Sequence, residues 1–170
     1  MTNHLRSVAL LALLTALPLF SQTPASKPTQ SNGSAIPMSH AKGTFDVKAT
    51  PAPGDDKSKD SGVGRFLLDK QFHGDLDAHS VGVMLAAGNP ATGSAGYVAM
   101  ETVTGTLAGH SGSFSLQQSG IMDKGALSMT VTVVPGTGTG ELAGISGTMQ
   151  IIIADGKHSY DLAYSLPPKP

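Results

Sequence analysis

The sequence predicts a single all-β domain built as a closed eight-stranded antiparallel up-and-down barrel, and three observations carry that prediction. From residue 42 onward, short runs alternate apolar and polar residues with period two, and clusters of Gly, Pro, Asn or Asp interrupt them. No stretch of that region carries the 3.6-residue stripe of an amphipathic helix. Most links between the runs are short, which favours closure over the longer crossovers of a Greek-key sandwich, the alternative arrangement of the same strands.

The elements follow in chain order. Residues 1–21 pair a charged start (His4, Arg6) with an apolar run from Val8 to Phe20 and then small polar residues, the layout of a signal peptide. A membrane-spanning helix needs about 20 apolar residues, so the shorter run predicts cleavage rather than anchoring. Residues 22–40 hold three prolines and many Ser, Thr and Gln without a hydrophobic period, and they read as a flexible linker. The barrel domain is expected over 41–168, with strands at 44–50, 64–73, 80–87, 94–106, 113–119, 126–134, 148–154 and 159–166.

An internal repeat organises the links. TGTLAGHSGSF at 104–114 recurs as TGELAGISGTM at 139–149, and a degraded third copy, HGDLDAHSV at 73–81, keeps Gly74, Leu76 and Ser80. With the strands in this order, the copies fall on the second, fourth and sixth connections, which share one end of an up-and-down barrel. Leu76, Leu107 and Leu142 are then expected to plug that end. The other end receives 51–62, 88–93, 120–125 and 155–158, whose lengths and composition predict a polar, longer-looped mouth.

The segments GTFDV at 43–47, FHGDL at 72–76, YVAMETVTGTLAGHSGSFSLQQSG at 97–120, VVPGTGTGELAGISG at 133–147 and YDLAY at 160–164 together resemble a bacterial family known as domain of unknown function 3224. The resemblance covers about residues 41–166. It implies a barrel similar to that of allene oxide cyclase, and no particular activity, because function does not follow from fold. It also leads one to expect a Trp and acids where Ala49, Thr50 and Pro51 stand, a His at Gln118 and an acid at Val83, so this chain departs from the pattern there.

Strand parity nominates the interior groups. Glu101 shares a face with Tyr97, Val103 and Leu107, which puts a carboxylate inside the barrel as the candidate catalytic base or polar anchor. Lys70 shares a face with Phe66, Leu68 and Phe72 and is placed to pair with Glu101, an arrangement that serves structure as readily as function. Gln118 lies on the Phe114–Leu116 face, and Tyr160 and Tyr164 offer hydroxyls, so Lys70, Tyr97, Gln118, Tyr160 and Tyr164 are the expected ligand-binding set. His73, His79 and His110 gather toward the plugged end without the spacing of a metal site, and no metal or other cofactor is expected. GHSGS and GTGTG lack the helix that a nucleophile elbow or a phosphate loop needs.

Charge and composition narrow the partners. The 170 residues carry 11 basic and 12 acidic side chains. Removing residues 1–21 takes one arginine and no acid, leaving a net charge of −2 and no basic patch for nucleic acid. The chain has no cysteine, which excludes disulfides, thiolate metal sites and lipoprotein anchoring. The expectation is a secreted or periplasmic protein with no membrane anchor in its mature form, binding a small apolar or amphipathic molecule. The alternatives are a cofactor-independent isomerase or cyclase working through Glu101, and a structural protein forming homo-oligomers through apolar outer faces on the fourth and seventh strands.

Overall fold

The computed structural model describes residues 37–53 and 61–168, and the expected signal peptide and all but the end of the expected linker lie outside them. Eight strands run antiparallel in chain order: β1 (Ser39–Pro51), β2 (Gly64–Gly74), β3 (Leu76–Asn89), β4 (Ser94–Leu107), β5 (His110–Asp123), β6 (Ala126–Val133), β7 (Ser146–Ala154) and β8 (Lys157–Ser165). β1 also pairs with β8, from Ser39 opposite Tyr164 to Phe45 opposite His158, and this closes the barrel. Closure removes the exposed sheet edges that an open eight-stranded meander would present. β1 therefore takes up Ser39 and His40, the last residues of the expected linker. Both have partners on β8, where His40 Nδ1 meets Asp161 Oδ1 at 2.6 Å.

Several strands run further than their period-two runs suggested. β5 reaches from His110 to Asp123 because pairing continues up to the turns, with Leu107 opposite His110 and Asp123 opposite Ala126. Three of the links are two-residue turns, Ala108–Gly109, Lys124–Gly125 and Asp155–Gly156, with positive φ at both positions. This mirror-image turn matches the right-handed twist of the flanking strands. The links expected at 120–125 and 155–158 thus shrink to tight hairpins.

The repeat end is packed solid. Leu76 and Leu107 face each other across β3 and β4, and Leu142 folds in from a short 3₁₀ turn (Gly140–Leu142); none is more than 1% exposed. Phe72, Phe114, Leu116, Val133 and Leu162 complete this core. Burying a side chain of this size contributes roughly 1.5–3 kcal/mol, so the base holds most of the apolar stabilisation. Phe45, Phe72 and Tyr160 continue it upward as a ring cluster, tilted between Phe45 and Phe72 and edge-to-face between Phe72 and Tyr160, with centroids 5.3 and 5.6 Å apart.

Toward the opposite end, the inward strand positions among the described residues are largely apolar, among them Met84, Tyr97, Leu127, Met129, Ile151 and Ile153, while most of the longest link expected there, residues 54–60, lies outside the described residues. The pairing between β6 and β7 consists of the single position Thr132–Thr148, next to the packed base. Carrying that register upward would set Met129 against Ile151 and Leu127 against Ile153, but no pair forms there. β6 and β7 remain neighbours in the closed barrel, with this one position as their ladder pairing.

Candidate functional site

Four polar side chains from neighbouring strands meet halfway up the interior. Lys70 on β2 stands opposite Ser80 on β3, and Glu101 on β4 stands opposite Gly82 on β3 and Leu116 on β5. Lys70 Nζ donates to Glu101 Oε1 at 2.8 Å, Ser80 Oγ donates to Glu101 Oε2 at 2.7 Å, and Gln118 Nε2 donates to Glu101 Oε1. All four residues are at most 4% exposed. No described buried side-chain nitrogen or oxygen is left without a partner. A carboxylate in such a setting is tolerable only because its charge is met by a cation and its oxygens by donors.

Two glycines make the arrangement fit. A Cβ on Gly82 would lie 2.6 Å from Glu101 Cβ, so glycine there gives the carboxylate its place. A Cβ on Gly120 would run into the ring of Tyr97, so glycine there lets that ring lie across the strand. A glycine in mid-strand commonly marks such a close approach. That signal was present in the sequence at both positions and points to the neighbours of Glu101 and Tyr97.

Above this cluster lies a cavity of about 210 Å³. Phe45, Leu68, Lys70 and Gln118 form its floor, while Met84, Tyr97, Leu127, Met129, Ile151 and Ile153 line its walls. Lys70 Nζ sits 5.2 Å from the centre of the Phe45 ring, a cation–π contact that holds the ammonium at the floor. A second space of about 200 Å³ beside the rim shares Met84, Tyr97 and Leu127 with the first. Leu127 and Ile153, flanking the β6–β7 seam, are 45% and 51% exposed. Burial, and secondarily the negative charge of Glu101, raise the pKa of Tyr97 above its ordinary value, so the hydroxyl stays protonated through neutral pH.

The six residues singled out from the sequence divide into three groups. Lys70, Tyr97 and Gln118 line the cavity. Glu101 lies behind that surface, with its side chain wholly buried and engaged by three donors. Tyr160 and Tyr164 point inward but belong to the packed core. The Tyr160 hydroxyl accepts from the Leu76 backbone N–H at 2.9 Å, and burial raises its pKa above the ordinary value more than that hydrogen bond lowers it. Ser80 and the apolar walls from β6 and β7 were not singled out. Ser80 could have been found from the β2–β3 hairpin register, which sets it opposite Lys70. His73 and His79 lie on the outer surface, near Asp46 at 3.6 Å and Asp69 at 3.1 Å.

A family model described as a protein of unknown function (DUF3224) matches residues 41–164. Among solved structures, the chain is similar to a protein of unknown function of that family from Shewanella oneidensis MR-1, determined by crystallography at 1.84 Å. The two are 46% identical, the match covers 78% of this chain and 100% of the other, and the TM-score is 0.71. No curated protein matches the chain. With the base and the interior cluster inside the matched span, the chain belongs to the DUF3224 family.

Proposed function

We propose that the protein binds a small, uncharged, largely apolar molecule in the upper half of the barrel, with a carbonyl or hydroxyl oxygen of the ligand seated on Lys70 and Gln118. The observation that carries this is the apolar cavity whose floor exposes one ammonium and one amide, both anchored from behind by Glu101. Apolar walls with a few convergent polar groups are the usual make-up of a small-molecule site.

Charge decides the class of ligand. Lys70 and Glu101 form a neutral pair, so a carboxylate ligand would add an unpaired negative charge to a dry interior, at a cost of several kcal/mol. A neutral acceptor adds none. Lys70 has three N–H donors and spends one on Glu101, so it can serve such an acceptor without breaking the pair. Binding is favoured over proton-transfer catalysis because Glu101 is wholly buried behind the cavity lining and three donors already engage its carboxylate. Residues 1–21, read as a signal peptide, extend the proposal to a protein that meets its ligand outside the cytoplasm.

The test is displacement of the neutral fluorophore N-phenyl-1-naphthylamine. 2-Nonanone is expected to displace it, and nonanoate at pH 7 to do so at least roughly tenfold more weakly, a difference of about 1.4 kcal/mol. Absence of fluorophore binding together with absence of thermal stabilisation by the ketone would overturn the site. Tighter binding of nonanoate would overturn the assignment of an uncharged ligand.

A further inference from the structure

The outer face of β2, β3 and β4 carries an apolar patch with an internal symmetry. Leu67, Val83 and Met100 lie in one row across the three strands, because Leu67 is opposite Val83 and Val83 is opposite Met100. The row on the mouth side is Arg65, Leu85 and Val98, and the row on the base side is Asp69, Val81 and Thr102. Leu67, Val81, Leu85, Val98 and Met100 are each between 43% and 54% exposed, although they sit on strands where solvent-facing polar residues are the rule. Contiguous exposed apolar surface of this kind on a folded domain marks an interaction site.

We infer that this face joins two copies of the chain across a two-fold axis running along the Leu67–Val83–Met100 row. An axis lying in the interface leaves each residue at its own strand position and exchanges the two flanking rows. Arg65 of one copy then meets Asp69 of the other, Leu85 meets Val81, Val98 meets Thr102, and the central row packs on itself. Each contact occurs twice, as an isologous interface requires. Opposite charges meet opposite charges and apolar residues meet mainly apolar ones, so the patch is complementary to itself. Asp69 already accepts from His79 on its own copy at 3.1 Å, which fixes the carboxylate near the edge of the patch. Two sheets packed face to face in this way keep their strands within about 30° of alignment.

The register makes the test specific. Sedimentation velocity of the full chain is expected to show a dimer. Arg65→Glu sets like charges against Asp69 at both ends of the interface and is expected to weaken the dimer about tenfold or more. Asp69→Arg should do the same against Arg65. An equimolar mixture of the two variants restores both attractive pairs and is expected to form a heterodimer at concentrations where each alone is monomeric. A wild-type chain that stays monomeric across the concentration range, or one found associated only with lipid vesicles, would overturn the proposal. So would dimerisation undiminished in both single variants, or a mixture that fails to re-associate while both variants keep wild-type thermal unfolding.

Discussion

At Lys70 and Glu101, two charges are kept inside a barrel by one another and by Ser80 and Gln118. Removing one partner of such a pair costs more than the pair contributes, because the survivor is left charged in a dry site. Lys70→Met is therefore expected to lower the unfolding free energy by about 3–5 kcal/mol. In the double variant Lys70→Met/Glu101→Gln, Gln118 can still donate to the new amide oxygen and Ser80 Oγ can accept from the new amide nitrogen, with no charge left, and it is expected to regain most of that loss. Urea unfolding of the two variants measures it. Equal destabilisation in both would mean that shape rather than charge sets the cost. Parity along single strands was enough to bring Lys70, Glu101 and Gln118 to the interior from sequence. Parity says nothing about depth, so it could not tell the cavity floor at Lys70 from the packed core at Tyr160.

At the scale of the element, the β6–β7 seam is the proposed entry for the proposed ligand. Every other neighbouring pair of strands shares a register of seven positions or more, whereas β6 and β7 share only Thr132–Thr148. The apolar residues Leu127, Met129, Ile151 and Ile153 flank the stretch without ladder pairs and also line the cavity, so the seam is the expected way in for an apolar ligand. Because the chain has no cysteine, Thr130→Cys and Gln150→Cys would be its only thiols, one on each side of the seam. Joining them with a short bis-thiol linker is expected to slow entry of the fluorophore by about tenfold, within the range over which association rates vary for related complexes. Stopped-flow fluorescence checks this, and an unchanged rate would place entry at the rim instead. The seam was not legible in the sequence. The alternation in 126–134 and 148–154 reads as two ordinary strands, and whether neighbouring strands zip together depends on how the whole wall curves.

Over the whole molecule, the two ends divide the work. The base, closed by the repeat leucines, supplies stability, and the upper half gives up packing to keep a space open. The repeat announced the base, since three glycine-flanked leucines on alternate links can only meet at one end. The apolar lining toward the mouth was not singled out, because the reading of that end rested on its links, whereas Met84, Leu127, Met129, Ile151 and Ile153 stand on the strands. This division makes opposite predictions for substitutions at the two ends. Leu142→Ala opens a void in a core that cannot readily collapse, and is expected to cost about 2–5 kcal/mol while leaving fluorophore affinity within about twofold. Ile151→Trp carries a larger side chain into the cavity that Ile151 lines. It is expected to abolish binding while holding or raising stability, by up to about 2 kcal/mol. Urea unfolding and fluorophore titration on both variants give four values. If Leu142→Ala, still folded, also lost binding, the two ends would be mechanically coupled and the base would belong to the site.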